Sequence, residues 1–124
     1  MNNEFKKEFL KYLPYMDEEN GIDTRKLEPT TKIIVETKNS TYEMEILDDK
    51  GNVLVLGGKF FTEPAKAYFN GSTWGGSMIK VGWVGYKMNM EIISRGSQIL
   101  TTTAAQTARI IAPEWEYAME WATD

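Results

Sequence analysis

A chain of 124 residues, 42% hydrophobic and 26% charged, can build one hydrophobic core but is too short for two ordinary domains, so it reads as one domain with extensions. It contains no histidine and no cysteine, which excludes structural zinc, iron–sulfur clusters, histidine triads, thiol chemistry and disulfides; no metal and no cofactor is expected. The net charge of -4 is uneven: residues 30–112 carry nine basic and seven acidic side chains, residues 113–124 none and four. So mild a basic balance argues against duplex DNA as a partner.

Residues 1–29 read as an N-terminal extension. Phe5, Phe9, Tyr12 and Leu13 fall on one face of a short amphipathic helix that Pro14 interrupts. The polar run Asp17 to Asp23, followed by Pro29, reads as loop. Met1 to Leu13 mixes Lys and Glu where a signal peptide needs an apolar stretch, and no apolar run is long enough to cross a membrane as a helix. The chain is therefore expected in the cytoplasm, away from membranes.

Residues 30–111 are expected to be β-structure. Lys32 to Thr37 is rich in β-branched residues, Asn39-Ser40 marks a turn, and Thr41 to Leu47 alternates Tyr42, Met44 and Ile46 with polar neighbours. Asp48-Asp-Lys-Gly-Asn52 is a second turn, followed by Val53 to Leu56. Further strands are expected at Ala65 to Phe69, Met78 to Val84, Tyr86 to Ile93 and Ile99 to Thr103, with another at Thr107 to Ile111. Nine of the ten glycines lie between Gly51 and Gly96, where strand glycines mark bulges and bends. The fold class is mainly β: a small curved barrel or a rolled antiparallel sheet of six or seven strands with short N- and C-terminal helices.

Residues 112–124 read as an acidic C-terminal helix. Pro113 sits at a favoured first position, Glu114 and Glu116 suit the helix dipole, and Trp115, Ala118, Met119 and Ala122 share one face. Docking on the barrel is one role for this helix. The other is partner capture through Trp115, Tyr117, Glu120 and Trp121.

The densest signal is Gly57-Gly-Lys-Phe-Phe61, Gly71-Ser-Thr-Trp-Gly-Gly-Ser-Met-Ile-Lys80 and Val81-Gly-Trp-Val-Gly-Tyr-Lys87. Gly71 and Gly76 have the spacing of the glycines of a phosphate-binding loop, but Ser77 and Met78 stand where Lys and Ser or Thr are required, which argues against a nucleotide triphosphatase. Backbone N–H groups of a Gly-rich turn can still cradle an anion. Lys59, Lys66, Lys80 and Lys87 also lie near Phe60, Phe61, Tyr68, Trp74, Trp83 and Tyr86, a composition suited to stacking a base and neutralising its phosphate. The expected ligand contacts are Lys59, Ser72, Thr73, Trp74, Ser77, Lys80, Trp83 and Lys87, with Trp74 the most exposed aromatic. The competing reading is structural: Gly75, Gly76, Gly82 and Gly85 curve the strands, and Trp74 and Trp83 fill the space they open.

These strings resemble a set of short uncharacterised prokaryotic and phage proteins that share a Gly-Gly-x-Phe-Phe segment and a Gly-Ser-Thr-Trp-Gly-Gly-Ser-x-Ile-Lys-x-Gly-Trp core, here Gly57 to Phe61 and Gly71 to Trp83. The resemblance covers the middle third of the chain. It implies a prokaryotic or phage setting and carries no activity. Where those proteins have Ser-Pro near the last strand, this chain has Thr102-Thr-Ala-Ala-Gln106.

The function expected from these features is non-catalytic: a binding module for a small anionic or nucleotide-like ligand, or a short single-stranded nucleic acid. The alternative is a protein-interaction or inhibitor module, a phage accessory or counter-defence protein acting through the acidic tail. A carboxylate hydrolase using Glu43, Glu45, Glu63 or Glu91 ranks last, because alternating acids are what a wetted strand face carries anyway. Edge strands in so small a sheet would allow a homodimer.

Overall fold

The computed structural model describes residues 21–74 and 78–112, and the backbone of 115–118. Among the described residues the strands are β1 (Gly21–Asp23), β2 (Lys32–Thr37), β3 (Thr41–Ile46), β4 (Asn52–Gly57), β5 (Phe61–Thr73), β6 (Ile79–Val81), β7 (Trp83–Gly85), β8 (Asn89–Ser94), β9 (Ile99–Ala112) and β10 (Trp115–Ala118), with a 3-10 turn at Thr24–Lys26. Every pairing is antiparallel.

Period-two burial explains the first hairpins. Ile33 and Val35 on β2, Tyr42, Met44 and Ile46 on β3, and Val53 and Val55 on β4 are buried, while the residues between them are partly or fully exposed. Burying each such aliphatic side chain contributes about 1.5–3 kcal/mol. A one-residue slip would turn the whole set outward, so the register is well determined.

Two long strands, β5 of 13 residues and β9 of 14, close the structure by changing partners along their length. β5 pairs first with β4 and then with β8, whereas β9 pairs first with β8 and then with β2. The ladder therefore returns on itself as a ring, β9–β2–β3–β4–β5–β8–β9. Phe61, Phe69, Met90, Ile92, Ala105, Ala108 and Ile110 join the hairpin residues in its core.

Both long strands carry register shifts. Pro64 lies where β5 carries extra residues opposite Val55 to Gly57, a place where its missing N–H costs no ladder bond. Asn70 is the extra residue between Phe69 and Gly71, and the Asn70 side-chain amide donates to Glu91 at 3.0 Å. In β9 the segment Thr102-Thr-Ala-Ala-Gln106 spans two shifts, one against β8 and one against β2. There Thr102 Oγ1 accepts from the Met90 N–H at 3.0 Å, satisfying a backbone donor that the ladder skips.

Several expectations need correction. Gly21 to Asp23, read as loop, is a strand on β7, and Met78 to Val84 is two strands separated at Gly82. Ile99 to Ile111, read as two strands, is one. Among the described residues the C-terminal helix is not found: residues 115–118 form β10, paired with Arg109 to Ala112 of β9. Trp115 and Tyr117 are good strand formers, and the far end of β9 presents unpaired backbone groups that a returning strand satisfies. The expected N-terminal helix lies outside the described residues. None of the described helices is long and apolar enough to cross a membrane.

Candidate functional site

The glycine- and tryptophan-rich end is held together from inside. Ser72 Oγ donates to the Trp83 carbonyl at 2.5 Å and accepts from the Gly85 N–H at 3.3 Å. Both Thr24 Oγ1 and the Thr24 N–H donate to the Gly82 carbonyl, at 2.7 and 2.8 Å, which ties the 3-10 turn to the β6–β7 bend. Trp83 is buried at 7% exposure, and Lys80 Nζ stands 3.9 Å from the centre of its ring. A close cation–π contact of this kind stabilises by about 0.5–2 kcal/mol.

This geometry divides the sequence-predicted contacts. Ser72, Thr73 and Trp83 are buried, so their side chains belong to the framework. Trp74, just after β5, is 72% exposed, and Met78, just before β6, is 81% exposed. Lys59 lies before the start of β5, a strand whose 13 residues separate it from Trp74 by up to about 40 Å of chain path. Lys87, in a left-handed conformation at φ 65°, donates its N–H to Ala105 and sets its ammonium 5.4 Å from the Tyr86 ring. Ser77, Glu120 and Trp121 lie outside the described residues, and Trp115 and Tyr117 are described only as backbone. Two of the predicted lysines meet aromatic rings locally, Lys80 at Trp83 and Lys87 at Tyr86.

The concave surface that does gather cations lies elsewhere. Where β5 leaves β4 for β8, the register Ala67 to Ser94 brings Lys66 and Arg95 to one cleft of about 450 Å³, walled by Leu47, Tyr68 and Ile93 and bordered by Asp48. A second cleft of about 360 Å³ shares Lys66, Ser94 and Arg95 and adds Phe60, Phe61 and Pro64. A third, of about 370 Å³, shares Leu47 and Asp48 and adds Arg25 and Lys26. None of the predicted contact residues lines these three clefts.

Among the described residues, the Lys66 ammonium, the Arg95 guanidinium and the Tyr68 hydroxyl have no hydrogen-bond or ion-pair partner. Asp48 is better occupied. Its Oδ1 accepts from the Lys50 and Asn52 N–H groups at 2.8 and 3.2 Å, and Oδ2 accepts from Asn52 Nδ2 at 2.7 Å. The Asn52 side-chain amide, then the Lys50 N–H, hold its carboxyl below the usual aspartate range, so it is charged at neutral pH. One acceptor position remains on Oδ2.

Lys66 and Tyr68 are two apart on β5 and share a face, a signal the sequence carries. Arg95 reads from the sequence only as part of a turn. What places it beside Lys66 is the β5–β8 register, which follows from the shift at Asn70 and from no local pattern.

No cluster of three or more acids suited to a metal ion occurs among the described residues. Glu91 is engaged by Asn70, Glu43 lies 4.0 Å from Lys32, and Glu63 is exposed on β5. The arrangement offers charge, an aromatic face and apolar walls, which suit holding a ligand. Comparison of the chain with protein-family models, curated proteins and solved structures finds no match in any of the three.

Proposed function

We propose that the protein is a non-catalytic binding module, a small curved barrel that holds a small anionic, nucleotide-like ligand in the cleft of Lys66, Arg95 and Tyr68. The observation that carries this reading is the meeting of three unengaged polar groups on one apolar-walled concave surface. A cleft of about 450 Å³ falls in the usual range of small-ligand sites, about 300–1,000 Å³. Two cations offer a phosphate charge-assisted hydrogen bonds, and the Tyr68 ring offers a base a stacking face. The adjoining cleft with Phe60 extends the site for a short single strand. The bacterial or phage setting and the cytoplasmic location follow from the sequence reading and belong to the same proposal.

Isothermal titration with nucleoside monophosphates and short oligonucleotides tests it. Binding should weaken by about tenfold or more when Lys66 and Arg95 are both replaced by Ala, the scale expected for losing charge-assisted bonds. Absence of binding across the panel, or equal binding by the double variant, would overturn the reading.

A second reading, capture of a protein partner or of another copy through the acidic tail, draws on β10. The edge of β10 away from β9 has no strand neighbour among the described residues, and such an edge accepts an added strand. Removal of residues 113–124 should then abolish association in light scattering while the ring stays folded.

A further inference from the structure

The first cleft is bipolar. It shares Lys66 and Arg95 with the cleft on one side and Asp48 with the cleft on the other. An anion and a hydrogen-bond donor therefore prefer opposite ends. A phosphate placed against Asp48 would meet an ionised carboxylate, whereas against Lys66 and Arg95 it meets two unengaged cations.

Asp48 leaves room for one donor only. The two backbone N–H groups occupy Oδ1, and the Asn52 amide takes one of the two positions on Oδ2. The turn that makes these bonds also fixes the carboxylate in place, so the remaining acceptor points in a set direction. An amino group that donates one of its N–H bonds fits it, and a carbonyl placed at the same point is repelled.

We propose that the cleft selects nucleotides whose base carries an exocyclic amino group, with that group donating to Asp48 Oδ2 while the phosphate lies at Lys66 and Arg95. The assignment rests on the reading of this cleft as a nucleotide site. It separates cytosine from uracil and adenine from hypoxanthine, pairs of the same ring shape in which the exocyclic amino donor gives way to a carbonyl and the donor hydrogen moves to the neighbouring ring nitrogen, away from the position that faces Asp48.

The test uses the full chain and isothermal titration with CMP, UMP, AMP and IMP near neutral pH. CMP should bind about tenfold more tightly than UMP, and AMP than IMP, as expected for one hydrogen bond to a charged acceptor against one repulsive contact. In Asp48→Asn the Oδ1 acceptor keeps the turn while Oδ2 becomes an amide donor, so the preference should vanish or reverse. The comparison of ligand pairs on the unaltered chain stands by itself if that variant does not fold. Equal binding of all four ligands overturns the selectivity and leaves the cation site intact. An unchanged preference in folded Asp48→Asn likewise overturns it, and failure of all four to bind overturns the nucleotide reading and this inference together.

Discussion

The Trp83 indole occupies the space into which a side chain at Gly21 would project: a Cβ built on Gly21 falls far inside van der Waals contact with three indole atoms. Gly21, opposite Gly85 in the β1–β7 ladder, leaves the indole that space by having no side chain. Gly21→Ala should therefore destabilise the protein by about 1–3 kcal/mol, as overpacking of a well-filled site does. Urea unfolding followed by tryptophan fluorescence measures it, and a midpoint equal to that of the unaltered chain would show that the indole can move aside.

Gly71 and Gly96 make a contrasting pair. Gly71 has φ 141° at the β5 bulge, and a Cβ there would collide with the Lys80 carbonyl, whereas a Cβ on Gly96 meets nothing within 4 Å. Gly71→Ala should cost about 2 kcal/mol or more, from strain and a clash with backbone that cannot rotate away. Gly96→Ala, in an exposed turn, should change stability by no more than about 0.5 kcal/mol. Thermal melts of the two variants check the difference.

The same contrast explains what the sequence discloses. β2 and β3 are legible because Ile33, Val35, Tyr42, Met44 and Ile46 alternate with polar residues and the turns between them carry Asn, Ser, Asp and Gly. The full length of β5 is not, since Pro64, Asn70 and Gly71 look like strand breakers and act instead as tolerated irregularities within one strand. In β9 the segment Thr102 to Gln106 resembles a break because it is where the strand exchanges β8 for β2. Trp74 is exposed and Trp83 buried, as a turn residue and a strand residue should be. Lys66 and Arg95 stand 29 positions apart, and only long-range register brings them together. The period of Trp115 and Tyr117 fits a strand as well as a helix, so the tail was decided by the partner that β9 offers.

Asp48 supplies a pH dependence. Its folded-state ionisation lies below the ordinary aspartate value of about 3.9, chiefly through the Asn52 side-chain bond. A lowered value means that the stabilisation is fully present above the unfolded value and is lost as pH falls through the folded one. Urea midpoints of the unaltered chain should thus fall more steeply than those of Asp48→Asn from about pH 4 downward, and run parallel to them above about pH 5. Parallel behaviour throughout would mean that the turn draws nothing from the ionised carboxylate.

The location of the ligand is tested most directly by two-dimensional 1H–15N spectra of the labelled full chain during titration with CMP. Binding in the cleft predicts saturable shifts concentrated at Lys66, Ala67, Tyr68, Ser94 and Arg95, with Asp48 and Asn52 following and with Trp74, Lys80 and Lys87 unmoved. Shifts centred on Trp74 and Lys80, or none at all, would contradict it.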